Sequence, residues 1–208
     1  VRVLLPFSGG IDSTAALVVL LQGGHDVQLV TIDYGQKAGF EIESAAQIAN
    51  FFHTKISKET LLFKFPKCSR IDYSLSTRLS VNRKRKDDKV FVPGLFSQIV
   101  SISHLHAMRH LCDAICLPFS VASSQFYPEA SGAGITGANL IFQSCPSNPV
   151  KLFLPFMDHN KKQIFEVLLS SKFPYWNTYS CLSSEPRCGD CSKCYLRDEV
   201  IVGSQKYY

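Results

Sequence analysis

Val3-Leu4-Leu5-Pro6-Phe7-Ser8-Gly9-Gly10-Ile11-Asp12-Ser13-Thr14 passes from an apolar stretch into two glycines and out into hydroxyl and acidic residues. Residues 3–7 have the length and character of a buried strand. Residues 14–21 follow with helical character, and Gly23-Gly24 stop them. A strand that ends at Ser8-Gly9-Gly10 and feeds a helix points several backbone N–H groups at one spot. The helix dipole adds positive charge there, so an anionic group binds well. Both Gly9 and Gly10 are expected to use backbone angles closed to other residues. Ser8, Ser13 and Thr14 are expected to add hydroxyl donors. The chain has no Gly-x4-Gly-Lys-Ser/Thr pattern and no lysine in the loop, which excludes a Walker-type phosphate loop.

Outward from this loop, residues 27–32 read as a second strand ending at Asp33-Tyr34-Gly35. Residues 41–52 carry Ile42, Ala45, Ala46, Ile48 and Ala49 at helical spacing, and residues 54–56 suggest a third strand. Strand, loop, helix, strand, helix, strand is the opening of a doubly wound parallel sheet, so the fold class is α/β and Rossmann-like. Residues 61–93 lose the pattern and read as an irregular lobe near the site. A helix is expected over residues 95–111, with Ile99, Ile102, Leu105 and Met108 on one stripe. A strand over 113–117, a loop-rich stretch over 118–137, a strand over 150–154 and a helix over 161–169 come next. A short helix near 196–202 closes the series. The chain divides into a nucleotide-binding domain, residues 1–175, and a cysteine-bearing segment, residues 176–208.

With 46% hydrophobic and 19% charged residues over 208 positions, the composition is that of a globular protein with a full core. The longest apolar runs are too short to span a bilayer. The first residues lack a signal-peptide pattern, so a cytoplasmic location is expected. Net charge is +5 and leans on Arg83-Lys84-Arg85-Lys86. Such a run reads as a solvated loop, or as a contact for RNA or an acidic partner. No aromatic residue interleaves it to stack on bases, which counts against nucleic acid.

Of eight cysteines, Cys181, Cys188, Cys191 and Cys194 form C-x6-C-x2-C-x2-C; Cys68, Cys112, Cys116 and Cys145 are scattered and read as small buried apolar side chains. Four thiolates complete a closed tetrahedral zinc site with no open position for water, so the expected role is structural. Gly189 suits the turn. An iron–sulfur cluster is the rival occupant. His106 and His110 stand four apart, but without the His-Glu-x-x-His pattern they read as ordinary helix histidines, as does His104.

The loop S-G-G-x-D-S-[ST] resembles the pyrophosphate loop of the PP-loop ATPases, the adenine nucleotide α-hydrolase-like group. Together with the terminal cysteines, the chain is similar to the 7-cyano-7-deazaguanine synthase (QueC) family. The resemblance runs through residues 7–14, Val30-Thr31-Ile32-Asp33-Tyr34-Gly35-Gln36, Phe91-Val92-Pro93-Gly94, Tyr127-Pro128, Pro155-Phe156-Met157 with Asn160-Lys161, and Ser180-Cys181 onward to Arg197. It implies that Phe7, Ser8, Gly9, Gly10, Ile11, Asp12, Ser13, Thr14 and Asp33 bind ATP, with catalysis resting on Asp12, beside magnesium and the phosphates, and on Ser13. It implies ligation: ATP adenylates the carboxylate of 7-carboxy-7-deazaguanine, ammonia displaces AMP to give an amide, and a second activation dehydrates it to the nitrile. A homodimer is also implied.

Some segments depart from the family pattern. Leu95-Phe96 stand where the family has Arg-Asn. Val121-Ala122-Ser123-Ser124-Gln125-Phe126 and Glu129-Ala130-Ser131 replace polar stretches around Tyr127-Pro128. These lie where the family binds its deazapurine. QueC-like proteins also occur in bacterial anti-phage operons, so a protein amine stands beside ammonia as the expected acceptor. Two other readings stay open: a PP-loop tRNA-thiolating enzyme using Cys112 and Cys116 or the terminal cysteines, and a non-catalytic ATP-binding module.

Overall fold

A computed structural model describes residues 1–33, 40–54, 56–57, 94–120, 123, 128–145, 148–181 and 187–205. The expected irregular lobe, the basic run, Cys68, Tyr34-Gly35-Gln36, Phe91-Val92-Pro93 and Tyr127 lie outside these residues. The strands are β1 (Arg2–Pro6), β2 (Asp26–Val30), β3 (Ile56–Ser57), β4 (Ala114–Cys116) and β5 (Lys151–Phe153). The helices are α1 (Ile11–Gln22), α2 (Phe40–Phe51), α3 (Leu95–Arg109), α4 (Gly132–Gln143), α5 (Lys161–Ser170) and α6 (Ser192–Gln205).

All strand pairs are parallel, and the sheet order is β3-β2-β1-β4-β5. Val3 lies opposite both Val27 and Ala114, which places β1 at the centre. Alternate residues of β1 serve the two faces. Val3, Leu5 and Phe7 join α1, α2 and α5 in one core, with Leu17, Ile48 and Phe165 fully enclosed. Leu4 joins Phe96, Val100, Ile115 and Phe142 on the other face, beneath α3 and α4. This is the expected doubly wound sheet, and the order reverses at β1. Ligands in such sheets bind outside the carboxyl ends of the strands at that reversal.

Three expectations are corrected. Part of the stretch read as loop-rich is α4, which begins at Gly132. Gly132, Gly134 and Gly137 lower its helix propensity, but Ile135, Ala138 and Phe142 give it a buried stripe that packing rewards. In α3 the buried residues are Leu95, Phe96, Val100, Ile102, Ser103, His106 and Ala107, so of the expected stripe Ile102 turns inward. Leu105 is 62% exposed and Met108 36%. Ser103 and Ala107 are fully buried, while Leu105 and Met108 lie toward solvent. The last helix starts at Ser192, earlier than the expected 196. None of the helices among the described residues is long and apolar enough to cross a membrane.

Candidate nucleotide site and metal centre

The loop after β1 lies at the sheet's reversal point. Gly9 takes a φ of +74°, and a Cβ there would stand 2.6 Å from the Ala45 backbone nitrogen. A side chain is therefore excluded both by backbone angle and by the close passage of α2. Gly10 differs from expectation: with φ −79° and ψ 170° it is ordinary extended backbone that caps α1. Its carbonyl accepts from the Thr14 backbone N–H at 3.0 Å, from Thr14 Oγ1 at 2.8 Å and from Ser13 Oγ at 3.2 Å. The Thr14 hydroxyl is thus committed inside the loop rather than offered to a ligand, and Thr14 is fully buried. Ser8 Oγ lies 3.3 Å from Ser13 Oγ.

A cavity of about 260 Å³ opens over this loop. Phe7, Ser8, Gly10, Ile11, Asp12 and Ser13 line it, so six of the eight expected loop residues face one space. Gly9 and Thr14 support it from behind. Asp33, past the end of β2, is partly exposed, and among the described residues it is not part of the cavity wall.

Four charged groups that were given no site role, Glu41, Lys161, Lys193 and Arg197, join Asp12 in that wall. Lys161 is the first residue of α5, held by a capping box in which Asn160 and Gln163 bond reciprocally at 3.0 and 2.8 Å. Its ammonium donates to Asp12 Oδ2. Asp12 Oδ1 is buried and, among the described residues, accepts no hydrogen bond. Lys193 comes from the first turn of α6. Its residue surface is partly exposed, but its ammonium is withdrawn from water, and burial lowers its pKa. Lys161 lowers it further, while Asp12 and Glu41 oppose. Glu41, at the start of α2, is pushed up to about 7 by burial, against the pull of Lys193 and a Ser8 hydrogen bond. Lys161 and Lys193 were legible only as parts of the family resemblance; Glu41 carried no signal beyond its place at the head of a helix.

Away from the phosphate loop the wall turns apolar, through Leu95, Phe96, Ile99, Pro118 and Phe119. The Phe96 and Phe119 rings lie 5.2 Å apart. Leu95 and Phe96 are 5% and 4% exposed. Ser123 adds a polar group, its Oγ accepting from the Ser120 N–H at 3.2 Å.

The segment leading to the cysteines is stitched to the loop. Tyr179 N–H donates to the Gly9 carbonyl at 3.0 Å, and Ser44 Oγ donates to the Asn177 carbonyl at 2.6 Å. Arg197, buried, donates to Thr178 Oγ1 at 2.5 Å and to the Tyr175 carbonyl at 3.1 Å. Beyond this strap, the sulfurs of Cys181, Cys188, Cys191 and Cys194 all lie within 4.8 Å of one another. Cys181 Sγ is 3.5 Å from Cys188 Sγ, which is 4.0 Å from Cys194 Sγ. Four sulfurs at ~2.3 Å from a tetrahedral zinc stand ~3.8 Å apart, so the set fits that ion. Gly189 makes the turn between them with a φ of +75°. Cys112 and Cys116 are fully enclosed, as expected of small buried side chains, and burial pushes Cys112 up to about 11 and Cys116 higher still. Protonated, enclosed thiols are poor sulfur carriers. His106 is buried with its ring 5.9 Å from that of His110, and no third ligand joins them among the described residues.

A parallel sheet with an anion-binding loop at its reversal point, two ammonium groups and a carboxylate around that loop, and a four-thiolate turn beside it define a nucleotide-binding α/β protein of the PP-loop class. The family model described as queuosine biosynthesis protein QueC matches residues 2–204, and the chain belongs to that family. The 7-cyano-7-deazaguanine synthase of Prochlorococcus marinus is 29% identical over 202 residues, covering 93% of this chain and 90% of the relative. That of Archaeoglobus fulgidus is 27% identical, covering 98% and 87%. Among solved structures, the NMN synthetase of Francisella tularensis superposes with a TM-score of 0.51 at 12% identity, over 97% of this chain and 76% of that one, a likeness of fold.

Proposed function

We propose that the protein is an ATP-dependent carbon–nitrogen ligase that adenylates the carboxylate of 7-carboxy-7-deazaguanine and passes the acyl group to a nitrogen nucleophile. The observation that carries this reading is one cavity with a cationic, N–H-rich end and an apolar, ring-sized end. A carboxylate is a poor electrophile until its oxygen becomes a good leaving group. The loop amides and the ammonium group of Lys161 stabilise the diphosphate that departs when adenylate moves onto the acid. The Oδ1 of Asp12 suits a hard divalent cation such as magnesium, which when bound neutralises phosphate charge. Phe96 and Phe119 pack against a flat ring and exclude water from it. Glu41, with a pKa near 7, is suited to take the proton that the incoming amine loses. Zinc held by the four cysteines would have no open position for water or substrate and so would take no part in the chemical steps.

Membership of the family supports the deazaguanine acid as substrate. For the acceptor, ammonia gives the nitrile; Leu95 and Phe96 in place of the family's Arg-Asn favour considering an amine on a protein partner as well. Incubation with ATP, magnesium and 7-carboxy-7-deazaguanine should give acid-dependent exchange of labelled pyrophosphate into ATP. Mass spectrometry then separates free nitrile, made with ammonia, from a mass added to protein. Absence of acid-dependent exchange would sink the ligase reading.

A further inference from the structure

We propose that Lys193 is a phosphate-binding residue of this site and that the four-cysteine turn is the device that delivers it, so that metal loading and polyphosphate binding reinforce each other. The inference rests on reading the loop as a polyphosphate cradle.

Lys193 lies between two of the sulfur ligands, Cys191 and Cys194, and lines the same cavity as Ser8, Gly10 and Asp12. The hydrogen bond from Tyr195 N–H to the Cys191 carbonyl, 3.0 Å, opens α6 at this point. Four bonds to one ion therefore set the backbone direction from which the lysine side chain leaves. A free lysine chain loses rotamer freedom when it binds; a rigid start to the chain reduces what binding must remove. The second flank of the turn also meets the loop. Cys181 lines the cavity itself, and Tyr179, two residues earlier, bonds the Gly9 carbonyl. Lys161 reaches the loop from α5, where it pairs with Asp12, and Lys193 brings a second positive charge from α6. Any factor by which the metal raises phosphate affinity is returned as the same factor in metal affinity.

The test is titration calorimetry of the full chain with magnesium pyrophosphate, zinc-loaded and chelator-stripped, for the wild type, Lys193→Gln and Lys193→Arg, with zinc content measured on each. Lys193→Gln should keep its zinc and bind at least about tenfold more weakly, the scale of a charge-assisted hydrogen bond; Lys193→Arg, which keeps the charge, should recover most of the affinity. Stripping should weaken the wild type by a similar factor and leave Lys193→Gln unchanged. Undiminished binding by Lys193→Gln, or no rescue by a zinc-loaded Lys193→Arg, overturns the proposal. An equal loss on stripping in wild type and Lys193→Gln also overturns it, because the metal would then act through the fold at large. If the zinc-loaded wild type binds neither pyrophosphate nor ATP, the cradle reading itself fails, a result distinct from the others, and the inference falls with it.

Discussion

The two ends of the cavity follow different rules. At the phosphate end the backbone leaves no freedom: Gly9 admits no side chain, the Gly10 carbonyl accepts three hydrogen bonds, and Lys161 is capped and paired. At the apolar end the surface is made of side chains on α3 and after β4, held mainly by packing among the described residues. The first kind of surface tolerates little change, since each group depends on others placed by the main chain. Side-chain packing admits exchange of one ring or branch for another at modest cost. That contrast suits the sequence reading, in which the loop keeps the pattern of the resembled family and Leu95-Phe96 depart from it.

Changes at each end test the contrast. Asp12→Asn should lower pyrophosphate exchange by about 10²–10³, the scale seen on removing one preorganised electrostatic group, with melting temperature and zinc content held. Exchange kept within a few-fold would break the assignment of the phosphate end. Phe96→Ala should cost about 3–5 kcal/mol of stability in urea unfolding. The same variant should raise KM for the acid about tenfold or more, the scale of a ring's lost burial, with KM for ATP little changed; a rise confined to ATP would invert the division.

Glu41→Gln probes the boundary between the ends. In the wild type the ligation rate should climb as pH rises through about 7, where Glu41 loses its proton, and the variant should lack that limb, a several-fold effect at pH 8. Stability carries the opposite sign. The folded-state pKa of Glu41 lies above its ordinary 4.5, so the folded state binds more protons between about 4.5 and 7 and stability falls as pH rises across that window. Arg187→Ala removes a half-exposed ion pair with Asp198, 2.7 Å long, at the outer edge of the metal turn. It should change stability by no more than about 1 kcal/mol, and a larger loss would show the turn bearing on the phosphate end through that pair as well.

Legibility in the sequence divided along similar lines. A contiguous motif such as residues 8–14 carries its own strand and helix beside it, so both loop and fold class were readable from one stretch. Four cysteines at fixed spacing announce one another. Lys161, Lys193 and Glu41 lie far from the loop in the chain, and only the sheet's topology brings them to it; no local spacing encodes that. The helix α4 was hidden by its glycines, because propensity and packing disagree there and packing prevails. In α3 the apolar residues are too many for one face, so only the sheet decides which line turns inward.

The bond from Tyr179 to the Gly9 carbonyl joins residues 170 positions apart. Because β1 sits at mid-sheet, its pairing with β2 needs only nearby residues, whereas the strap, α5 and α6 are among the later parts of the chain to leave the ribosome. Contacts of such long range form late. The growing polypeptide therefore exposes its loop before the lysines of α5 and α6, and the strap that bonds Gly9, have been made.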